Sequence, residues 1–222
     1  MEFLSHFAQQ GKKQDTAVIL LHGYGASQED LFPLKDFFSI KADWYFPNAP
    51  LALGAPFFSG RAWFPIDMQS LEKLMSRGEY REFAQQEPKE MALHLNQLKE
   101  WIGQNFQDYQ RLIIGGFSQG AMMSSHLIPM LWHQIPISAG LFFSSQLINE
   151  KSLKKSLADH TAIQTLKVFA SHGQQDPILN PQGGKALVEV YQQWGVECQW
   201  HEFSGAHEIS HCTLKAANEF LA

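Results

Sequence analysis

The stretch Arg111-Leu112-Ile113-Ile114-Gly115-Gly116-Phe117-Ser118-Gln119-Gly120-Ala121 decides how the rest of the chain is read. A strand-like apolar run enters a Gly-x-Ser-x-Gly pentapeptide, and an apolar, helix-like run from Ala121 to Leu131 leaves it. Strand, sharp turn and helix form the setting of a nucleophile elbow. Such a turn strains the backbone of its serine, so a Cβ two residues before or after would clash, and Gly116 and Gly120 relieve that crowding. Ser118 is therefore expected to present its hydroxyl at the top of a sheet, as a nucleophile.

A serine hydroxyl reacts poorly until a base takes its proton, and the base needs a third group to orient it. Downstream, the strand run Thr165–Ala170 leads into Ser171-His172-Gly173-Gln174-Gln175-Asp176-Pro177, and Cys198–Phe203 leads into Ser204-Gly205-Ala206-His207. An isolated Asp-Pro is ordinarily a turn, and a lone histidine such as His207 is ordinarily a surface-loop residue. Their order, each after a strand and both after the elbow, selects Asp176 as the acid and His207 as the base. Asp159 precedes a strand, His201 lies within one, His172 is close to the acid in sequence and His211 falls in the last helix, so these are weaker candidates. Upstream, Thr16–Leu21 runs into His22-Gly23-Tyr24-Gly25, a plain glycine-rich turn were Ser118 absent. With Ser118 present, the backbone N–H groups of Tyr24 and Gln119 are the expected oxyanion donors.

Further strands are expected at 43–46 and 137–144. Helices are expected from Ser27 or Asp30 to Phe38, from Pro88 to Asn105, over 181–194 and over 210–221. Strands alternating with helices predict an α/β fold with a mostly parallel central sheet covered by helices on both faces. With 222 residues, 45% of them apolar, no repeat and no linker, one domain spanning 1–222 is expected, with 51–88 an irregular insertion near the site. A net charge of −5 argues against nucleic acid as a partner, and two cysteines, Cys198 and Cys212, exclude a disulfide scaffold. The absence of a signal-like N-terminus and of long apolar runs predicts a cytoplasmic protein without integral membrane segments.

LHGYGAS, RAWF, GGFSQGA, SHGQQDP and SGAHEI, in that order, resemble the phospholipase/carboxylesterase group of α/β hydrolases, which includes bacterial carboxylesterases and acyl-protein thioesterases. The resemblance runs from about Thr16 to the C-terminus. It implies an α/β-hydrolase fold, Ser118, Asp176 and His207 as triad, Tyr24 and Gln119 as oxyanion donors, and no cofactor or metal. The implied substrates are carboxylic esters, acyl thioesters (an acylated protein among them) or lysophospholipids. Phe57, Phe58, Trp63 and Phe64 are expected to line a hydrophobic groove for the acyl chain, although aromatics are more often core. The charged stretch after Pro65-Ile66-Asp67 departs from the commoner pattern, and reads as a lid over 67–87 or a solvated extra helix. A monomer or weak homodimer is expected.

Two other function classes compete. His207-Glu208-Ile209-Ser210-His211 matches the zincin motif, with His207 and His211 as ligands and Glu208 as base, which requires both histidines one turn apart on a helix. The loop-like Ser204-Gly205-Ala206 ahead of His207 counts against that. A non-catalytic binding protein of the same fold would be expected to lack a triad member, and none is missing.

Overall fold

Arg111–Phe117 is a central strand, hydrogen-bonded in parallel to a neighbour on each side. Helices cover both faces of such a strand, which is why its sequence is a continuous apolar run instead of an alternating one. The computed structural model describes the backbone of residues 5–8 and residues 13–54, 60–159 and 165–222. In chain order the strands are β1 (Ser5–Ala8), β2 (Thr16–Leu21), β3 (Asp43–Pro47), β4 (Leu51–Ala52), β5 (Arg61–Ala62), β6 (Arg111–Phe117), β7 (Ile137–Phe143), β8 (Lys167–Gly173) and β9 (Glu197–Phe203). The helices are α1 (Gln28–Leu31), α2 (Met68–Met75), α3 (Lys89–Asn105), α4 (Gln119–Leu131), α5 (Glu150–Ala158), α6 (Pro181–Gln193) and α7 (His211–Leu221).

The sheet order is β1-β3-β2-β6-β7-β8-β9, and β4 pairs with β5 as a separate two-stranded piece. Only β1, at the edge, runs antiparallel within the large sheet among the described residues. Side chains along β2 sort to two sides. Ala17, Ile19 and Leu21 join the core under α3 to α6, while Val18 and Leu20 join a second core under α1 and α7. Helices on both faces of a mostly parallel sheet are the arrangement anticipated from the sequence.

The boundaries carry the corrections. Ser27 caps α1, its side chain accepting from the Glu29 N–H, but the helix gives way after Leu31 to a 3₁₀ turn over Phe32–Phe37. Pro33 has no N–H to continue the α-ladder. Strand β1 and helix α5 were not anticipated, and α4 starts at Gln119, directly after the elbow serine. Strand β8 runs three residues beyond Ala170, to Gly173, and so includes His172. Within the insertion, Asp67 caps α2 by accepting from the Ser70 N–H. No helix among the described residues is long and apolar enough to cross a membrane.

Candidate active site

At the C-terminal end of β6, Ser118 adopts φ 53° and ψ −118°, a conformation that costs a non-glycine residue about 1–3 kcal/mol. Its N–H donates to the Phe143 carbonyl at 2.9 Å, tying the turn to the neighbouring strand. A Cβ at Gly116 or Gly120 would overlap the Leu21 carbonyl of β2, so the elbow fits against the sheet only with glycine at both places.

The acid and the histidine arrive on adjacent loops. Gln174 N–H donates to the Phe203 carbonyl and Gln175 N–H to the Gly205 carbonyl, each at 2.9 Å, which stitches the loop after β8 to the loop after β9. Gly173 permits this approach, because a Cβ there would run into the Ala206 backbone. His207 Nδ1 then lies 2.6 Å from Asp176 Oδ2, and His207 Nε2 lies 2.9 Å from Ser118 Oγ. An ionised carboxylate only accepts, so the ring proton sits on Nδ1 and the Nε2 lone pair faces the serine O–H. Asp176 is fully buried. Burial alone would raise its pKa, but hydrogen bonds from His172, His207 and the Leu179 N–H outweigh it and hold the carboxyl well below the usual carboxylate range.

The loop after β2 comes up beside the elbow, where a Cβ on Gly23 would stand 3.4 Å from the Ser118 Cβ. The buried His22 accepts at Nε2 from the Ala49 N–H (3.0 Å), so its proton is on Nδ1, which donates to the Gly23 carbonyl at 2.8 Å. Gly23 O and Tyr24 N belong to one peptide plane, with the C=O and N–H on opposite sides. Fixing the carbonyl therefore fixes the direction of the Tyr24 N–H. On the other side, the buried Gln119 side chain accepts from the Trp63 N–H at 2.8 Å and donates to the Phe64 carbonyl at 2.7 Å. That clamp holds the first turn of α4, where N–H groups have no intrahelical acceptor.

Ser118, Gln119, Tyr24 and His207 all line one cleft of about 350 Å³, and Asp176 stands behind His207. Its apolar wall comes largely from the insertion: Ile66, Met68, Leu71, Met75 and Phe83. Tyr80 ties that segment down by donating its hydroxyl to the Asp176 carbonyl at 2.8 Å. A second hollow of about 560 Å³, bordered by Lys35, Asp36, Lys41 and Trp44, shares no residue with the cleft and contains none of the groups expected to react.

The aromatic groove is corrected in part. Trp63 and Phe64 are buried in the core and do not line the cleft. The Trp63 indole N–H donates to the His22 carbonyl and its own carbonyl bonds His94 Nδ1 at 2.6 Å, so the segment packs inward as a support for the loop after β2 and for the first turn of α4. Phe57 and Phe58 lie outside the described residues. Replacing Trp63 by alanine is expected to cost about 3–5 kcal/mol of stability, seen as a lower urea midpoint. A groove-lining residue would instead change chain-length preference at unchanged stability.

The zinc motif is also taken apart. His207 precedes the helix with both ring nitrogens engaged, while His211 is the first residue of α7 behind the cap Ser210, and its ring packs on Phe37. Asp159, the competing acid, is the C-cap of α5.

Among known proteins, the phospholipase/carboxylesterase family profile matches residues 5–222. The chain belongs to the phospholipase/carboxylesterase family. Like other members it is a hydrolase acting on carboxylic esters. An acyl-protein thioesterase 1 of Debaryomyces hansenii is 29% identical over 238 residues, covering 96% of this chain and 93% of its own length. The crystal structure of Zea mays acyl-protein thioesterase 2 superposes with a TM-score of 0.75 at 16% identity, over 99% of this chain and 98% of that one. The structure of esterase PE8 gives 0.73 at 24% identity, over 100% and 98%. At these identities the two structures speak for the shared phospholipase/carboxylesterase fold alone.

Proposed function

We propose that the protein is a single-domain serine esterase that acts through an acyl-enzyme, with Ser118, His207 and Asp176 as its triad, on esters or thioesters of apolar acyl groups. Ser118 Oγ bonds to the acyl carbonyl carbon as its proton passes to His207 Nε2. Asp176 keeps the Nδ1 proton in place and stabilises the imidazolium. The N–H groups of Tyr24 and Gln119 receive the oxyanion. The carbon–oxygen or carbon–sulfur bond then breaks, and His207 returns its proton to the leaving alcohol or thiol. Water, deprotonated by the same nitrogen, repeats the attack and frees the carboxylic acid and Ser118.

The observation that carries this reading is the relay of 2.6 and 2.9 Å from Asp176 through His207 to a strained serine at one end of an apolar cleft. The name of the Debaryomyces hansenii relative favours acyl thioesters, and the family's carboxylesterase description favours oxygen esters. The cleft's apolar wall favours an acyl chain over a charged acyl group.

A fluorophosphonate probe is expected to label Ser118 and to abolish p-nitrophenyl ester hydrolysis, and a strong chelator is expected to leave turnover unchanged. Loss of activity on chelation, restored by zinc, would replace the triad with a metal mechanism. An unlabelled serine and no turnover at any acyl length would favour a binding protein. A chain-length series of paired oxygen esters and thioesters identifies the acyl group.

A further inference from the structure

Asp176 has a second histidine on the oxygen that serves His207. His172, at the end of β8, is fully buried, and its Nε2 lies 3.0 Å from Asp176 Oδ2 and 3.1 Å from the Leu179 carbonyl oxygen. Two acceptors facing one nitrogen require that nitrogen to carry the proton. The other nitrogen, Nδ1, has no hydrogen-bond partner among the described residues and faces Gly184 of α6, where a Cβ would stand only 2.9 Å away. A proton there would be buried without an acceptor. His172 is thus a neutral imidazole protonated on Nε2, the opposite tautomer to His207.

The remaining contacts complete a closed set around the carboxylate. Asp176 Oδ1 accepts from the Ile178 N–H at 2.8 Å and the Leu179 N–H at 3.0 Å, while Oδ2 accepts from the two imidazoles. Four donors fix its rotation. His207 faces it from the loop after β9, with Glu208 beside it, and the Tyr80 hydroxyl reaches the Asp176 carbonyl from the insertion. The Lys185–Glu202 pair (2.7 Å), from α6 and β9, lies near the ring of Trp200, which also packs against His172.

We propose that His172 is a positioning residue of the triad: its Nε2–H holds Asp176 Oδ2 in line with His207 and draws negative charge from that oxygen. The proposal rests on the triad reading. A donor on Oδ2 weakens the carboxylate's pull on the His207 imidazolium, so removing it strengthens that pull. The acid limb of the kcat/KM–pH profile then moves up, a response that loss of packing does not produce.

The test compares wild type, His172→Leu and His172→Gln by pH–rate profile, fluorophosphonate labelling and ¹⁵N-histidine NMR. In the wild type, NMR is expected to find the proton of His172 on Nε2 and that of His207 on Nδ1, a readout that needs no variant to fold. His172→Leu is expected to lose about tenfold in kcat/KM at neutral pH, as for loss of a hydrogen bond to a charged group. Its acid limb is expected to move up by roughly half a pH unit or more. His172→Gln, which can place an N–H₂ where Nε2 stood, is expected to restore both towards wild type.

A His172 proton on Nδ1, an acid limb that stays put or moves down in a folded His172→Leu protein, or a glutamine variant as impaired as leucine would each overturn the proposal alone. Failure of the wild type to label at Ser118, with activity retained in Ser118→Ala, would overturn the triad reading and this proposal with it.

Discussion

Replacing Ser118 by alanine is expected to lower kcat/KM for p-nitrophenyl esters by on the order of 10⁴-fold or more, with no loss of thermal stability. The hydroxyl is the atom that bonds to carbon, and its one hydrogen-bond partner among the described residues is His207 Nε2. Alanine keeps the Cβ that the turn already accommodates, so the fold has little to lose. His207→Ala is expected to cost a similar factor, because an unactivated hydroxyl is a poor nucleophile. The double variant is expected to be no slower than either single one. Groups that act as a unit are grossly non-additive, and the residual rate belongs to the oxyanion donors and the cleft. Losses that multiply in the double variant would mean that Ser118 and His207 act independently, and full activity in Ser118→Ala would end the serine mechanism.

The elbow was legible because its requirement is local and steric. Gly116 and Gly120 are needed wherever a strand turns into a helix through a strained serine, and both abut the Leu21 carbonyl as that geometry demands. Asp176 and His207 were legible through chain order, since each follows a strand of a parallel sheet and such loops gather at one end. Other features depend on what packs where. The edge strand Ser5–Ala8 has little periodicity and forms through its antiparallel pairing with β3. Helix α5 shows only Leu153 and Leu157 as buried residues along a charged stretch, and these sit on one face four residues apart. Trp63 and Phe64 read as groove residues because their loop is irregular, yet their fate was set by a glutamine 55 residues downstream that binds Phe64's backbone. The true wall could have been found: Met68, Leu71 and Met75 recur at three and four residues behind the capping Asp67, a one-faced helix inside a stretch otherwise read as charged. In sequence, His172 reads as a weaker base for its nearness to Asp176, whereas the strand end followed by a turn brings positions 172 and 176 into contact.

Asp176→Asn is expected to leave the fold in place and lower kcat by about 10⁴-fold. The carboxylate accepts four N–H groups, two on each oxygen. An amide keeps one acceptor, best used for the Ile178 and Leu179 N–H groups, and turns an N–H₂ towards the two histidines. His207 relieves the clash by moving its proton to Nε2, and that nitrogen then points an N–H at Ser118 and cannot take a proton from it. Stability carries its own signature. Hydrogen bonds hold the folded-state pKa of Asp176 below the unfolded value of about 3.9, so its contribution is present in full above that value and is lost as pH falls through the folded one. The asparagine side chain does not titrate. The gap in urea midpoint between wild type and Asp176→Asn is therefore expected to be constant near neutrality and to narrow below about pH 4. A gap that widens in acid would mean that Asp176 is held protonated in the folded state, and a proton on that carboxyl could not coexist with the Nδ1–H of His207 in the relay.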